Sequence, residues 1–251
     1  MPSLTDDMKR CLVFHLTGPM GGWGGIAVGT FRPTMRHPTK SAIVGIVAAA
    51  LGLGRGDDRV RSLFTCFEYA VISAGTESEI SDFATVESSE PDRDETFTVL
   101  PPRSLELSRK KRNTIVVDRR YVCNGYYTVI MVPKGETIFS LESIRDSLQF
   151  PTYVPYLGRK SCPLSFPMCP TIESYSKLRD IISSVYLRPY REELFQDSRF
   201  LKDTSFLKVY STYPIDGYNG YTSHVVNDDI PDRLNWSFRE RTEYEFLEEL
   251  E

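Results

Sequence analysis

The chain has 251 residues, of which 41% are hydrophobic and 25% are charged, and this balance excludes a disordered, collagen-like or coiled-coil protein. The longest apolar stretch, Ala42 to Leu53, is about a dozen residues long and contains two glycines, whereas a membrane span needs about 20. The first ten residues lack the pattern of a signal peptide, so we expect a cytoplasmic protein with no membrane partner.

The cysteines and histidines argue against a metal or disulfide framework. Five cysteines are an odd number, they form no CxxC pair, and their spread favours reduced thiols. With only three histidines, a Cys/His zinc site would need ligands from distant segments. We therefore expect no metal and no cofactor.

The net charge of −4 argues against general nucleic-acid binding, but the charge is unevenly distributed. Pro101 to Arg120 holds seven basic and two acidic residues, a local balance of +5, whereas Glu240 to Glu251 holds six glutamates and one arginine. These segments suit different partners; the alternative is that both are solvated surfaces.

The first elements predicted are a strand, a glycine-rich segment, a basic loop and a helix. Cys11 to Thr17 is a short apolar run typical of a buried strand, and Gly18 to Gly25 is too rich in glycine for regular structure. The basic loop Arg32 to Ser41 leads into a helix that Thr39 or Ser41 caps and that Gly52 and Gly54 end.

The middle of the chain predicts two more strands around an insertion. Phe67 to Ser73 and Tyr126 to Val132 are rich in β-branched and aromatic residues, and Ser140 to Gln149 has a helical apolar stripe. The intervening segment, about residues 74–125, is too long for a structureless loop and predicts an extended hairpin, or thumb. This order indicates an α+β fold: a ferredoxin-like (RRM-like) domain with an inserted β-rich thumb.

The C-terminal part, about residues 151–251, gives weaker signals. A loop runs from Pro151 to Pro163, Tyr175 to Leu187 favours a helix, and Phe206 to Tyr213 alternates enough for a strand. We predict a single domain over residues 1–251 with an irregular, loop-rich C-terminal region.

Enzymatic patterns are weak. About fifteen residues separate Gly24 from the predicted helix, so the glycines do not form a dinucleotide fingerprint, and no GxxxxGK[ST] motif is present. His15 lies within an apolar strand and suits packing, whereas His37 lies in the basic loop. There, proton transfer during RNA cleavage, base stacking and phosphate contact all remain open.

Binding of single-stranded RNA needs cations for phosphates, flat side chains for bases and a backbone that approaches closely. Three segments combine these features: Met20 to Gly25 with Arg32 to Ser41, the insertion around Arg109 to Tyr121, and Tyr153 to Cys162. Each segment has an alternative interpretation, since Trp23 suits a core and paired cations suit an ordinary loop.

The sequence resembles a known family, the CRISPR-associated Cascade subunit that caps the 5′ end of the guide RNA, in its E-type form (the CasD family). The resemblance lies in Gly18-Pro19-Met20 with Trp23-Gly24, in Arg32-Pro33-Thr34 with Pro38 to Ser41, and most specifically in Pro155 to Pro163. Residues 171–219 carry the least of it.

The resemblance implies a ferredoxin-like RNA-binding domain that holds the 5′ handle of the CRISPR guide RNA. It also implies contacts with other Cascade subunits, the backbone subunit and the large subunit, and an indirect relation to target DNA through the complex. The RNA-binding residues that it implies are Met20, Trp23, Arg32, Arg36, Lys40, Ser41, Arg119, Arg120, Tyr156, Gly158, Arg159 and Lys160.

The resemblance favours a subunit without catalytic residues. The alternative is a metal-independent endoribonuclease that processes CRISPR precursor RNA, as a related type uses the corresponding subunit. His37, Lys40, Tyr156 and Lys160 have the side chains that such chemistry needs around a 2′-hydroxyl. A third possibility is a structural adaptor whose basic loops meet acidic proteins.

Overall fold

The computed structural model describes residues 8–54, 56–74, 78–89, 112–186, 188–190, 206–218, 220–232 and 237–249. Within these ranges the chain forms one large, mostly antiparallel sheet with few helices. The strands are β1 (Lys9–Gly21), β2 (Phe31–Arg32), β3 (Phe67–Ala74), β4 (Ser78–Ser89), β5 (Arg112–Pro133), β6 (Thr171–Tyr175), β7 (Phe206–Ser211), β8 (Thr222–Asp232) and β9 (Ser237–Glu249). The helices are α1 (Lys40–Ala50), α2 (Val60–Thr65), α3 (Leu141–Gln149) and α4 (Arg179–Val185), with a 3₁₀ turn at Arg188–Tyr190.

The main path of the sheet runs in the order β6-β1-β5-β3-β7-β9-β8, and every pair along it is antiparallel. Two further strands join β5 near its start: β2 pairs with it in parallel and β4 pairs with it in antiparallel. The strand β5 therefore pairs with four other strands and is the centre of the sheet.

The strand β1 is buried on both faces, which explains its continuous apolar sequence. Leu12 and Phe14 belong to the core that includes α1, whereas Cys11 and Val13 belong to a second core that includes α4. Successive side chains of a strand face opposite sides of its sheet, so an apolar run without alternation is what a doubly covered strand needs.

The helix α1 follows the prediction closely. The Thr39 side chain accepts a hydrogen bond from the Ala42 backbone N–H at 3.3 Å, so Thr39 is the N-terminal cap. After the helix, Gly52 adopts a φ of +73°, a conformation that glycine allows without strain. The Thr39 cap and the glycine stop at Gly52 are confirmed.

The glycine-rich segment was expected to lack regular structure, and that expectation is wrong for its first part. The strand β1 continues through Gly18 to Gly21, because Gly18 pairs with Gly125 and Gly21 pairs with Val122. The strand predicted at Tyr126 to Val132 is likewise longer than expected, because β5 begins at Arg112 within the predicted insertion.

The predicted insertion contains a two-stranded ribbon. The strand β4 pairs with the first half of β5 from Ser78 opposite Cys123 to Ser89 opposite Arg112. Four basic residues of the predicted insertion lie outside the described residues: Arg103, Arg109, Lys110 and Lys111.

The C-terminal region has more regular structure than the sequence indicated. The strand β7 matches the predicted strand, but β6, β8 and β9 were not foreseen, and the predicted helix at 175–187 is shorter, because Tyr175 ends β6. Most side chains of β9 are exposed or half-buried, so its position depends on pairing with β7 and β8 rather than on an apolar pattern.

No helix in the described part of the chain is both long and apolar enough to cross a membrane.

Candidate nucleic-acid interface

Four arginines from three separate segments meet around the first half of β5. Arg32 of β2 lies opposite Arg119 of β5, and Arg120 follows Arg119 in the strand. Arg159, from the loop after α3, donates hydrogen bonds to the backbone carbonyls of Arg120 at 3.1 Å and Arg32 at 3.4 Å. We call these four residues the arginine cluster.

The members of the arginine cluster keep much of their positive charge. Arg32 donates to the carbonyl oxygens of Gly29 and Phe31, at 2.7 and 3.0 Å, and these neutral acceptors do not cancel its charge. Arg119 and Arg120 face Asp82 at 3.9 Å and Asp118 at 3.4 Å, both long separations. Arg119 and Arg120 are half-buried, and their loosely paired guanidinium groups remain available to a phosphate.

Arg159 is also a structural residue. Its guanidinium lies over the ring of Tyr121, 4.5 Å from the centroid, and its side chain packs beside Gly22. It therefore fixes the 156–163 loop against β2 and β5. The sequence predicted Arg159 as an RNA contact, and the geometry gives it this positioning role as well.

The loop that carries Arg159 approaches the end of β1 too closely for any side chain at Gly158. The Gly22 N–H donates to the Leu157 carbonyl at 3.0 Å, and a Cβ at Gly158 would lie 2.0 Å from the Gly22 carbonyl oxygen. Gly158 also has a φ of +78°. This glycine permits the backbone contact and offers no side chain of its own.

Trp23 and Met20 pack against the protein rather than facing a ligand. Trp23 is 3% exposed, its indole N–H donates to the Tyr127 hydroxyl at 3.3 Å, and the two rings meet edge to face at 5.4 Å. Met20 is half-buried against the same core. The sequence suggested both residues as RNA contacts. A buried indole presents no face on which a base could stack, so Trp23 is a core residue instead.

The N-terminus of α1 and the Lys40 side chain are occupied by carboxylates from β8. The Asp228 carboxylate accepts the Lys40 backbone N–H at 2.7 Å, and the Lys40 ammonium pairs with Asp229 at 2.8 Å. Ser41 is half-buried and lies 3.2 Å from the Thr39 hydroxyl. Lys40 and Ser41 are thus engaged within the chain.

Behind this helix end lies a buried network of alternating charges. Arg241 donates to both oxygens of Asp228, at 2.6 and 2.9 Å, and to Glu243 at 2.8 Å. Glu243 in turn faces the His37 ring at 3.1 Å, and that ring stacks on Tyr210 with centroids 3.7 Å apart. We call Asp228, Arg241, Glu243 and His37 the buried ion network.

The buried ion network changes the interpretation of His37. Its Nε2 faces the Glu243 carboxylate and its Nδ1 lies 3.3 Å from the Pro38 carbonyl, so both ring nitrogens meet acceptors. Burial alone would raise the pKa of Glu243, but the hydrogen bond and charge of His37, with the charge of Arg241, hold that pKa below its usual value. His37 therefore supports the fold.

Three predicted residues remain near the surface. Arg36 and Lys160 are exposed and meet no carboxylate within the described ranges. Tyr156 is half-buried and pairs with Pro163 across the turn of its loop. Arg36 and Lys160 therefore add free positive charge to that of the arginine cluster.

The sequence interpretation missed the buried ion network and two exposed phenylalanines, Phe31 and Phe83. Glu243 belongs to the acidic segment Glu240 to Glu251, and the sequence analysis did not consider Asp228. Only the pairing of both carboxylates with Arg241 distinguishes them from surface charges. An exposed aromatic in a short strand gives no periodic signal. No group of three or more metal-ligating side chains occurs among the described residues.

The comparison with known proteins agrees with the resemblance found in the sequence. Residues 11–244 match the family described as CRISPR-associated protein (Cas_Cas5). The chain belongs to this family. It is also 32% identical over 161 residues to the CRISPR system Cascade subunit CasD of Escherichia coli (strain K12), over 64% of this chain and 70% of that protein.

Solved structures show the same fold. A chain of a CRISPR RNA-guided surveillance complex superposes with a TM-score of 0.58 at 20% identity, covering 95% of this chain and 89% of that one. A Cas protein in a crystal structure gives a TM-score of 0.53 at 21% identity, covering 96% and 94%. The family predicted from the glycine, tyrosine and paired-cation motifs is thus confirmed.

Proposed function

We propose that this chain is the guide-RNA-binding subunit of a Cascade surveillance complex in antiviral defence, and that it holds the 5′ handle of the RNA. The observation that carries the proposal is the arginine cluster, in which Arg32 and Arg159 donate to neutral carbonyls and so keep their charge. The similarity to a Cascade subunit and to a chain of an RNA-guided surveillance complex supports the same function.

The RNA backbone lies, in this proposal, along Arg32, Arg119 and Lys160 rather than at the end of α1. Lys40 and the first N–H of that helix are already satisfied by Asp229 and Asp228. A phosphate there would have to displace two carboxylates, whereas at the arginine cluster it meets donors that no carboxylate holds closely.

We propose further that the subunit is not catalytic. An endoribonuclease would need His37 and Lys40 free to move protons at a 2′-hydroxyl, yet His37 is 3% exposed against Glu243 and Lys40 pairs with Asp229. The alternative, a metal-independent endoribonuclease that processes precursor RNA, would have to use Tyr156 and Lys160 without them.

We also propose a single domain with a ferredoxin-like centre, in which β4 and the start of β5 form the thumb. With β2, α2 and β4 treated as additions, the chain order β1-α1-β3-β5-α3-β6 and the spatial order β6-β1-β5-β3 support a βαββαβ unit. In a Cascade complex, the thumb and the surfaces beside it join the backbone and large subunits, and target DNA is reached through the complex.

The test is incubation of the purified full-length protein, with a chelator present, with a labelled CRISPR-repeat RNA and a scrambled RNA of equal length. Retention and cleavage are scored in parallel over a salt series. We expect retention of the repeat RNA without cleavage. The slope of log affinity against log salt should become shallower by about 0.7 when Arg32→Ala or Lys160→Ala removes one phosphate-binding cation.

Lys134→Ala is the matched control, because Lys134 is an exposed cation that pairs with Glu68 at 2.8 Å in the turn after β5. Its affinity and salt slope should equal those of the wild type. Specific cleavage of the repeat RNA would establish the endoribonuclease instead. Equal losses of affinity with all three variants, or equal retention of both RNAs, would contradict handle binding at the arginine cluster.

A further inference from the structure

Two cations and one carboxylate form a row across the strands β2, β5 and β4. Arg32 of β2 pairs with Arg119 of β5, and Arg119 pairs with Asp82 of β4. Residues that pair directly across strands point to the same face of a sheet, and successive residues of a strand alternate between faces. The three side chains therefore share one face of the ribbon, which we call the Arg119 face.

Asp82 is the single carboxylate that the described residues of β2, β4 and β5 place on the Arg119 face. The other acidic residues of these strands, Glu79, Glu87 and Asp118, all lie on the opposite face. The Asp82 side chain is 49% exposed, and its Oδ2 lies 3.9 Å from a guanidinium nitrogen of Arg119. A pair this long and this exposed contributes little to the fold, so the carboxylate stays accessible to a ligand.

The neighbours of Asp82 along β4 are apolar. Ile80 and Ala84, two residues away on either side, point to the same face, and Ile80 is 43% exposed whereas Ala84 is half-buried. Ile80 pairs with Tyr121, over whose ring the Arg159 guanidinium lies. Asp82 is thus a hydrogen-bond acceptor between apolar side chains, at the end of a row whose other members are cations.

From this row we propose that Asp82 is a specificity-determining residue, which accepts a hydrogen bond from the amino group of one base of the 5′ handle. An ionised carboxylate only accepts hydrogen bonds, and it repels a phosphate. Among the donors of single-stranded RNA, the edge of a flat base suits a site with apolar neighbours better than a hydrated ribose does. The proposal rests on the proposed function, since it names the group of the bound RNA that Asp82 contacts.

The cations and the carboxylate of the row have different effects on binding. Phosphates are the same in every RNA, so Arg32 and Arg119 bind them without regard to sequence. An amino group lies opposite Asp82 only when the RNA occupies one register. In other registers the carboxylate meets a phosphate or a carbonyl oxygen, and binding weakens. Asp82 therefore favours the repeat RNA over other sequences and fixes its position along the ribbon.

The experiment measures the affinity of the full-length protein for labelled repeat RNA and for a scrambled RNA of equal length by fluorescence anisotropy. Asp82→Ala should weaken binding of the repeat RNA about tenfold, and it should not weaken binding of the scrambled RNA. The salt slope for the repeat RNA should stay the same, because Asp82 binds no phosphate. Asp146→Ala is the matched control, since Asp146 is an exposed aspartate that pairs with Arg145 at 2.7 Å, and it should change neither affinity.

Modified RNAs identify the donor. The amino group of each handle base is removed in turn, with inosine for guanosine, purine riboside for adenosine and pyrimidin-2-one riboside for cytidine. At one position this change should weaken wild-type binding about tenfold, and binding by Asp82→Ala less than about twofold. A parallel series of 2′-deoxynucleotides should weaken both proteins equally at every position.

Three results would overturn the assignment of Asp82 to a base. Equal or tighter binding of the repeat RNA by Asp82→Ala would make the carboxylate a competitor of phosphate for Arg119. A shallower salt slope would show that Asp82 only holds Arg119 in place, and coupling with a 2′-deoxy position would assign the contact to a ribose. An unchanged midpoint of urea unfolding shows that the variant is folded. Failure of the wild type to retain repeat RNA would instead overturn the proposed function, and this inference with it.

Discussion

Arg241→Met tests whether the buried ion network holds the C-terminal strands against α1. Arg241 makes three charged hydrogen bonds, two to Asp228 and one to Glu243, and the three side chains are 12%, 7% and 6% exposed. Removing one partner leaves the others as uncompensated buried charges, for which the cost is about 3–5 kcal/mol. A pair of exposed charges would cost at most about 1 kcal/mol.

The assay is equilibrium unfolding in urea, followed by circular dichroism. A loss of about 4 kcal/mol, with an m-value near 3 kcal/mol/M, shifts the midpoint downward by about 1 M or more. Arg239→Met is the control, since Arg239 is an exposed arginine on the same strand, and it should change the free energy of unfolding by less than about 0.5 kcal/mol.

A second substitution isolates the charge effect from the loss of packing. Asp228→Asn keeps an acceptor for the Lys40 N–H but removes the negative charge that Arg241 compensates. The double variant Arg241→Met, Asp228→Asn should therefore be more stable than the sum of the single losses predicts. Strict additivity, or a loss below about 1 kcal/mol for Arg241→Met, would refute the reasoning.

Three further predictions concern pH, backbone and binding. Burial, with the charge of Arg188, lowers the pKa of His15 to about 4, so the unfolded chain takes up a proton more readily between about pH 6.5 and 4. The free energy of unfolding should fall by about 3 kcal/mol across that window, as urea titrations would show, and His15→Gln should remove this slope. Gly158→Ala should lower the free energy of unfolding by more than about 2 kcal/mol, because the new Cβ would meet the Gly22 carbonyl and the φ of residue 158 is positive. Gly54→Ala is the control, since open space surrounds Gly54, and it should change that free energy by less than about 1 kcal/mol. Thermal unfolding measures both changes. Lys40→Met should keep the affinity for repeat RNA within about twofold of the wild type, since the Lys40 ammonium already pairs with Asp229. A tenfold loss of affinity in anisotropy titrations would show instead that Lys40 contacts the RNA.

The elements that could be predicted from sequence are those whose signals are local. Thr39 and Gly52 mark the two ends of α1. The strands β1 and β3 and the second half of β5 are apolar runs because both of their faces are covered. The strand β9 has few buried side chains, so its register depends on neighbouring strands that a local pattern cannot show.

The candidate site residues were predicted from their residue types and local motifs. The predictions that differ from the structure concern residues that contact partners far away in the sequence. Trp23 lies among glycines, and the sequence suggested it as an RNA contact with a core position as the alternative. The hydroxyl that its indole meets belongs to Tyr127, 104 positions away. The sequence suggested Lys40 as an RNA contact. In the fold, Asp229 of β8 lies beside the Lys40 ammonium and pairs with it. Phe31 was passed over because a strand of two residues has no period to read.

The acceptors of each cation explain how a chain with a net charge of −4 can present a positive surface. Lys40 and Arg241 pair with carboxylates at 2.9 Å or less, and these pairs contribute stability but almost no external field. Arg32 and Arg159 are held by backbone carbonyls, which fix the guanidinium without cancelling its charge. Because these carbonyls already order the two arginine side chains, less conformational entropy is lost when a ligand binds. An anionic ligand therefore meets preorganised charge at the arginine cluster and only satisfied charge at the end of α1, and this difference favours a phosphate backbone along β2 and β5.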